Sequence, residues 1–300
     1  MQRKKKVGLA LGGGFLRGTA HVGVLKVLER EGFKPDIVAG TSAGSIVAAL
    51  YAAGCPIREI EKMAVNIKPE HVYDGWSTLA NLFLIMGDYL SDFLHLKCPL
   101  RAPLGVMKGK NLEKFLKQLL SDINFSDLKM ALAITAVDIN VGSRVIFVQK
   151  PMLRQIFSPD VVYVRNAPVA DAVRASTAVP GLFEPKRIGK YLLVDGGLRE
   201  QVPAQVLKAL GADVVLAVDV GYDGEPSSEV GSIAHLLLQT LDIIRNDAIQ
   251  LELSHYADMV LLPVLKDISA VEFDRIPYAI AQGEAAAEKC LPQIRKLFNK

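Results

Sequence analysis

The stretch Ile37-Val38-Ala39-Gly40-Thr41-Ser42-Ala43-Gly44-Ser45-Ile46-Val47-Ala48-Ala49-Leu50-Tyr51 decides the fold. Its first three residues are apolar and read as a short buried strand. Gly40 to Gly44 is a tight turn, and Ile46, Val47, Leu50 and Tyr51 recur at the spacing of one helix face. Gly54 and Pro56 stop that helix. The same order stands immediately upstream. Lys6 to Leu11 is short and apolar, Gly12-Gly13-Gly14 is a turn, and Val22, Leu25, Val27 and Leu28 mark a helix that Gly32 ends. Two consecutive strand–turn–helix units predict a parallel sheet with helices on its faces.

Further along, Leu132–Val137 and Arg144–Val148 read as strands around a hairpin turn at Asn140-Val141-Gly142. Tyr191–Val194, Val214–Val220 and Met259–Leu262 are further buried-strand runs. Helices are expected over 57–72, Asn111–Leu120, Asp171–Ala178, 231–256 and 276–298. There is no internal repeat, low-complexity tract or linker, so residues 1–300 are expected to form one domain.

Composition narrows the function. Half of the 300 residues are hydrophobic, 22% are charged, and the mean hydropathy is +0.26, which excludes a disordered chain. Cys55, Cys98 and Cys290 are far apart and form no CxxC pair, which argues against a disulfide framework or a zinc ribbon and for a reducing, cytoplasmic setting. A net charge of +3 is too mild for nucleic acid and leaves a weak attraction to anionic membrane surfaces. The basic Arg3–Lys6 and apolar Val7–Leu11 break at Gly12, too early for a cleaved leader. No run reaches the roughly 18 apolar residues of a membrane span.

Two glycine loops then carry the chemistry. Gly12-Gly13-Gly14-Phe15-Leu16-Arg17-Gly18 lacks the Lys of a P-loop, and Arg17 stands where a dinucleotide fingerprint needs its last glycine. Both nucleotide readings fail. What remains is a row of backbone N–H groups facing a helix N-terminus, suited to negative charge, or a simple βα turn. Gly40-Thr41-Ser42-Ala43-Gly44 is a G-x-S-x-G pentapeptide between a strand and a helix, the setting that lifts a serine hydroxyl onto a helix N-terminus. Small-residue turns also match it by chance. A nucleophilic serine needs a base. None of the five histidines follows a late strand-end turn, whereas Asp195 directly follows Tyr191–Val194 and precedes Gly196-Gly197. Strand C-termini are where α/β enzymes keep their chemistry. An Asx-turn residue is the plainer alternative.

In this order, the loop ending in Arg17-Gly18, the elbow at Ser42, the segment Ala175-Ser176-Thr177-Ala178-Val179-Pro180-Gly181-Leu182-Phe183-Glu184-Pro185 and Asp195-Gly196-Gly197 resemble the patatin-like phospholipases, from about Val7 to Pro263. The resemblance implies a three-layer α/β/α sandwich with a mostly parallel sheet. It implies a Ser42–Asp195 dyad without histidine, metal or cofactor, and hydrolysis of acyl esters of lipids or lysolipids. By position, Gly13, Gly14 and Phe15 would form the oxyanion hole, and Arg17 would steady the loop or a substrate phosphate. Gly40, Gly44, Gly196 and Gly197 would support the two turns. Phe15 stands where the family usually has glycine, and Glu200 where it commonly has Asn. These departures keep open a second class, a lipid-binding or regulatory protein that retains the fold.

Residues 76–97 hold Trp76, Leu79, Leu82, Phe83, Met86, Leu90, Phe93 and Leu94 at i, i+3, i+4 and i+7, with Asn81, Asp88, Ser91, Asp92 and His95 largely on the other side. This is either a helix packed on the sheet or a lid making transient membrane contact.

Overall fold

The central strands carry almost no polar side chains because helices cover both of their faces. The computed structural model describes residues 5–93, 102–149, 160–221, 233–265, 268 and 272–298. Its strands are β1 (Val7–Leu11), β2 (Ile37–Gly40), β3 (Gly105–Met107), β4 (Ala131–Asp138), β5 (Ser143–Val148), β6 (Val161–Val164), β7 (Gly181–Phe183), β8 (Lys186–Ile188), β9 (Tyr191–Asp195), β10 (Val214–Val218) and β11 (Met259–Leu261). Its helices are α1 (Ala20–Arg30), α2 (Ala43–Ala52), α3 (Ile57–Val65), α4 (Pro69–Val72), α5 (Gly75–Phe93), α6 (Lys110–Leu120), α7 (Val169–Ser176), α8 (Ala204–Ala209), α9 (Ile233–Tyr256), α10 (Ile276–Lys289) and α11 (Leu291–Phe298).

The main sheet runs β11-β10-β1-β2-β4-β5-β6. The first five strands are mutually parallel, β5 turns back on β4 through the hairpin, and β6 lies parallel to β5. Strand alternation splits the core in two. Leu9, Leu11, Val38, Leu216 and Val218 face the layer of α1, α2, α3, α6, α7, α10 and α11. Ala10, Ile37, Ala39, Val215 and Ala217 face α8 and α9. The architecture is thus a three-layer α/β/α sandwich.

One pairing positions the site. β5 occupies one edge of β4 from Ala133 to Asp138. The other edge is shared. β2 runs along it until Gly40 stands opposite Ile134, and β9 comes from the opposite direction until Asp195 stands opposite Ala136. The ends of β2 and β9 therefore point at each other with one residue, Thr135, between their partners, about 6–7 Å of strand.

Several expected boundaries move. The helix expected over 57–72 breaks after Val65 and resumes at Pro69, a residue suited to a helix start and not to its interior. The helix expected over 276–298 breaks at Cys290, just before Pro292. β3, β6, β7, β8 and α8, each three to six residues long, add to the elements read from the sequence.

The segment expected as a lid or core helix forms α5, and its apolar side faces outward. Asn81 is 2% exposed and donates to the carbonyls of Gly105 and Val106, whereas Phe83 is 74% and Met86 69% exposed. The side chains of Trp76, Leu90, Ser91, Asp92 and Phe93, and residues Leu94 and His95, lie outside what is described.

Candidate active site

Ser42 begins α2 as its N-cap, with φ 50° and ψ −125°. Positive φ is costly for a residue with a Cβ, and such strain at a strand-to-helix turn is what exposes a nucleophile. The elbow closes only because its neighbours are glycines. A Cβ on Gly40 would lie 2.6 Å from the Gly44 carbonyl oxygen, and one on Gly44 2.2 Å from that of Leu11. The strained turn is held from outside: the Ser42 N–H donates to Ser176 Oγ at 2.8 Å, and Ser45 Oγ donates to the Ser42 carbonyl at 2.6 Å. Thr41 Oγ1 meets Thr135 Oγ1 at 2.8 Å and donates to the Glu200 carbonyl at 2.9 Å, tying the elbow to β4 and to the loop after Asp195.

Asp195 ends β9 and is 6% exposed. Its N–H donates to the Ala178 carbonyl, and its Oδ1 accepts the Gly197 N–H at 2.8 Å, which fixes the carboxyl plane. Gly196 sits against Thr135, where a Cβ would come within 2.2 Å of Thr135 Oγ1. β4 thus brings the two loops together, and Gly13 touches the first: a Cβ there would lie 3.1 Å from Ser42 Cβ.

The glycine loop is anchored residue by residue. Gly12 donates to Val218, and Gly13 donates to the Gln201 carbonyl at 3.1 Å. The Gly13 N–H, expected to face the site, is thus engaged by the loop after Asp195. The N–H groups of Gly14 and Phe15 have no such backbone acceptor among the described residues. Phe15 adopts φ 51°, the left-handed region that glycine tolerates freely. Arg17 lies half-buried in the 3₁₀ turn Phe15–Thr19 and does not line the cavity described below.

Three further residues support the loops; Ser176 lies in the segment that carries the resemblance, whereas Gln201 has no local signal in the sequence. Ser176 holds the Ser42 amide. His21 is fully buried and donates Nε2–H to the Gly12 carbonyl at 2.7 Å; burial lowers its pKa to about 4, so it is a neutral strut. Gln201 is a clamp between loops. Its carbonyl takes the Gly13 N–H and its Nε2 donates back to the Gly13 carbonyl at 2.9 Å. Its amide fills space that Cβ atoms on Gly13 and Gly197 would occupy, at 3.2 and 2.3 Å.

Glu200 is buried behind this clamp. Its Oε1 accepts from Val206 N–H at 3.0 Å, and Arg144 stands 3.7 Å from its Oε2. Burial pushes its carboxyl up to about 7. Burial, and then the Glu200 charge, push that of Glu252 on α9 up to about 8.

From Ser42 an apolar cavity of about 920 Å³, part of it open to solvent, runs along the Ala43–Ile46–Val47–Leu50 face of α2. That face alone is about 12 Å long. Met63, Tyr73, Phe115, Val179, Phe183 and Phe273 are among its walls. No group of three or more His, Cys, Asp or Glu placed to hold a metal ion occurs among the described residues.

The model of the patatin-like phospholipase family matches residues 9–208. Among curated proteins, the chain is 29% identical to the uncharacterized protein YqhO of Bacillus subtilis, over 87% of this chain and 88% of that one. It is 28% identical to patatin-like phospholipase domain-containing protein 6 of Homo sapiens, over 73% of this chain but only 14% of that protein. It likewise spans only 18% of patatin-like phospholipase domain-containing protein ZK370.4 of Caenorhabditis elegans, at 28% identity over 90% of this chain. Among solved structures it is similar to VipD of Legionella pneumophila, with TM-score 0.49 and 14% identity over 97% of this chain and 67% of that one. With the family model covering two thirds of the chain, from the first strand through the aspartate loop, this protein belongs to the patatin-like phospholipase family.

Proposed function

We propose that the chain hydrolyses acyl esters of phospholipids or lysophospholipids, with Ser42 as nucleophile and Asp195 as its base. The observation that carries this reading is the meeting of β2 and β9 on one edge of β4, at the head of the apolar cavity. The acyl chain lies along α2 and presents its ester carbonyl to Ser42. Asp195 takes the hydroxyl proton as Oγ bonds to the carbonyl carbon, and the oxyanion is met by the N–H groups of Gly14 and Phe15. One such donor is typically worth about 10²–10³ in rate. The tetrahedral intermediate collapses, the C–O bond to the alcohol breaks, and Asp195 returns the proton to that oxygen. Water, deprotonated by the same carboxylate, then cleaves the acyl-serine ester. Arg17 is assigned to the loop, and Gly196-Gly197 to the support of Asp195.

A fluorophosphonate serine probe tests the reading. Labelling at Ser42, with release of fatty acid from a lipid panel and loss of both in Ser42→Ala, is the expected result. A second reading, a lipid binder without turnover, draws on Phe15 at positive φ in the oxyanion loop. Under it the chain retains fatty acid or lipid and the probe does not label.

A further inference from the structure

Helix α5 is built inside out for a helix facing water. Of its exposed large apolar residues, Leu79, Leu82, Phe83 and Met86 fall at i, i+3, i+4 and i+7, one continuous stripe, while Leu84 stands off it. Asn81, about half a turn away around the axis, is the residue turned inward, onto the carbonyls of Gly105 and Val106. Leu104, beside that contact, is 65% exposed. A helix that buries its amide and presents its aromatic and aliphatic groups is matched to an apolar medium outside.

The base of α5 is fixed and charged. Asp74, just before the helix, is buried and accepts the N–H groups of Gly109, Lys110 and Asn111, the last at 2.9 Å. This pins α5 to the start of α6 and sets the exposed side chains of Lys108 and Lys110 beside it. Lys68 is exposed on the preceding turn, with Glu70 as the acidic residue there. On α5 itself Asp88 is half-buried. The fully exposed charges of this collar are three lysines against Glu70; the buried Asp74 and the half-buried Asp88 face away from full solvent exposure. The collar is also continuous with the cavity, since Val72 and Tyr73 are at once cavity wall and the residues leading into α5.

We propose that the outward stripe of α5 is a docking surface for an anionic lipid bilayer, with Lys68, Lys108 and Lys110 on the headgroups. Leu79, Leu82, Phe83 and Met86 then enter the acyl boundary and bring the Tyr73 wall of the cavity to the lipid surface. Docking does not require Ser42 to be a nucleophile, so it stands or falls apart from the hydrolase reading.

Vesicle co-sedimentation tests it, using neutral phosphatidylcholine alone and with an anionic phospholipid added, on the full chain carrying Ser42→Ala so that the lipid persists. The chain is expected to bind both, and the anionic vesicles several-fold more tightly. Phe83→Asp with Met86→Asp is expected to weaken binding to both about tenfold or more. Lys108→Glu with Lys110→Glu is expected to abolish only the anionic preference. Phe83→Leu, which keeps the stripe apolar, is expected to retain binding. Any of four results overturns the proposal: no vesicle binding by the chain, unchanged binding in the Asp variant, an equal loss in Phe83→Leu, or a melting temperature that falls in step with binding. In the absence of lipid, a dimer that the Asp variant dissociates would make a second copy the occupant and overturn it as well. Hydrolysis of a short soluble ester, measured with Ser42 restored, is expected to be the same with and without the α5 substitutions. Its complete absence faults the hydrolase reading and leaves docking untouched.

Discussion

Replacing Gln201 by leucine keeps roughly the volume that Gly13 and Gly197 make room for and removes the amide. The Gly13 carbonyl then loses the Nε2 donor now at 2.9 Å. A buried acceptor left without its partner costs about 1–3 kcal/mol, a loss of several degrees in melting temperature for a chain of this size. The larger effect is expected in catalysis. The Cβ position of Gly13 lies within about one van der Waals contact of both the Gln201 amide and Ser42 Cβ. Drift of Gly13 therefore misaims the next two N–H groups, those of Gly14 and Phe15. Losing one oxyanion donor lowers kcat by about 10²–10³, so a fall of about 10–10³ with KM nearly unchanged is expected on a short soluble ester. Gln201→Glu, which sets a carboxylate against the Gly13 carbonyl, is expected to be worse than leucine. Gln201→Asn, with one methylene less reach, is expected to be intermediate. A kcat within about threefold of the unmodified chain, alongside the expected fall in melting temperature, would refute the clamp and leave Gln201 as packing only.

Ser42→Ala and Asp195→Asn are each expected to lower ester hydrolysis at least about 10³-fold with little change in melting, and the double variant to be no worse than either single, as for groups acting as a unit. Additive losses in a steady-state assay would separate their roles. Phe15→Gly removes the cost of a left-handed residue, about 1 kcal/mol, and adds the backbone entropy of glycine, about 0.5–1 kcal/mol. Stability is therefore expected to hold within about 1 kcal/mol by denaturant titration, with activity retained; a loss of turnover comparable to Ser42→Ala would mean that the Phe15 side chain itself is needed. The buried pair Glu200 and Glu252 titrates near 7 and 8 in the folded chain and near 4.5 when unfolded. The folded state thus holds these protons longer: the contribution to stability is complete below the unfolded value and is lost as pH rises through 7 and 8. Melting temperature is expected to decline over that range by scanning fluorimetry and to decline less in Glu252→Gln; parallel curves would count against the pair.

The first two strand–turn–helix units, the hairpin at Asn140-Val141-Gly142 and the strand before Asp195 were legible because each is a local pattern: an apolar run, a glycine turn, a helical spacing. Ser42 and Asp195, the residues proposed to react, stood out for the same reason, since each sits on a turn whose residue types are unusual. The rest is long-range. Nothing near Gln201 in the sequence marks it as the partner of Gly13, 188 positions away, and the His21 contact depends on where β1 releases the loop. Periodicity found α5 but could not tell which side faces inward. The Asn81 contact with Gly105 and Val106 decides that, against the usual preference for burying leucine and phenylalanine.

The shared edge of β4 acts as a ruler graduated in whole residues. The elbow is referenced to Ile134 and the aspartate to Ala136, so their spacing can change only in increments of about 3.3 Å. A single increment also turns the side chain of Asp195 to the opposite face of the sheet. Insertion of one residue beside Thr135 is thus not a small perturbation of the pair but its removal. Fine adjustment is left to torsions beyond the ends of the ruler, in Thr41-Ser42 and in Gly196-Gly197, where the chain has already left the ladder.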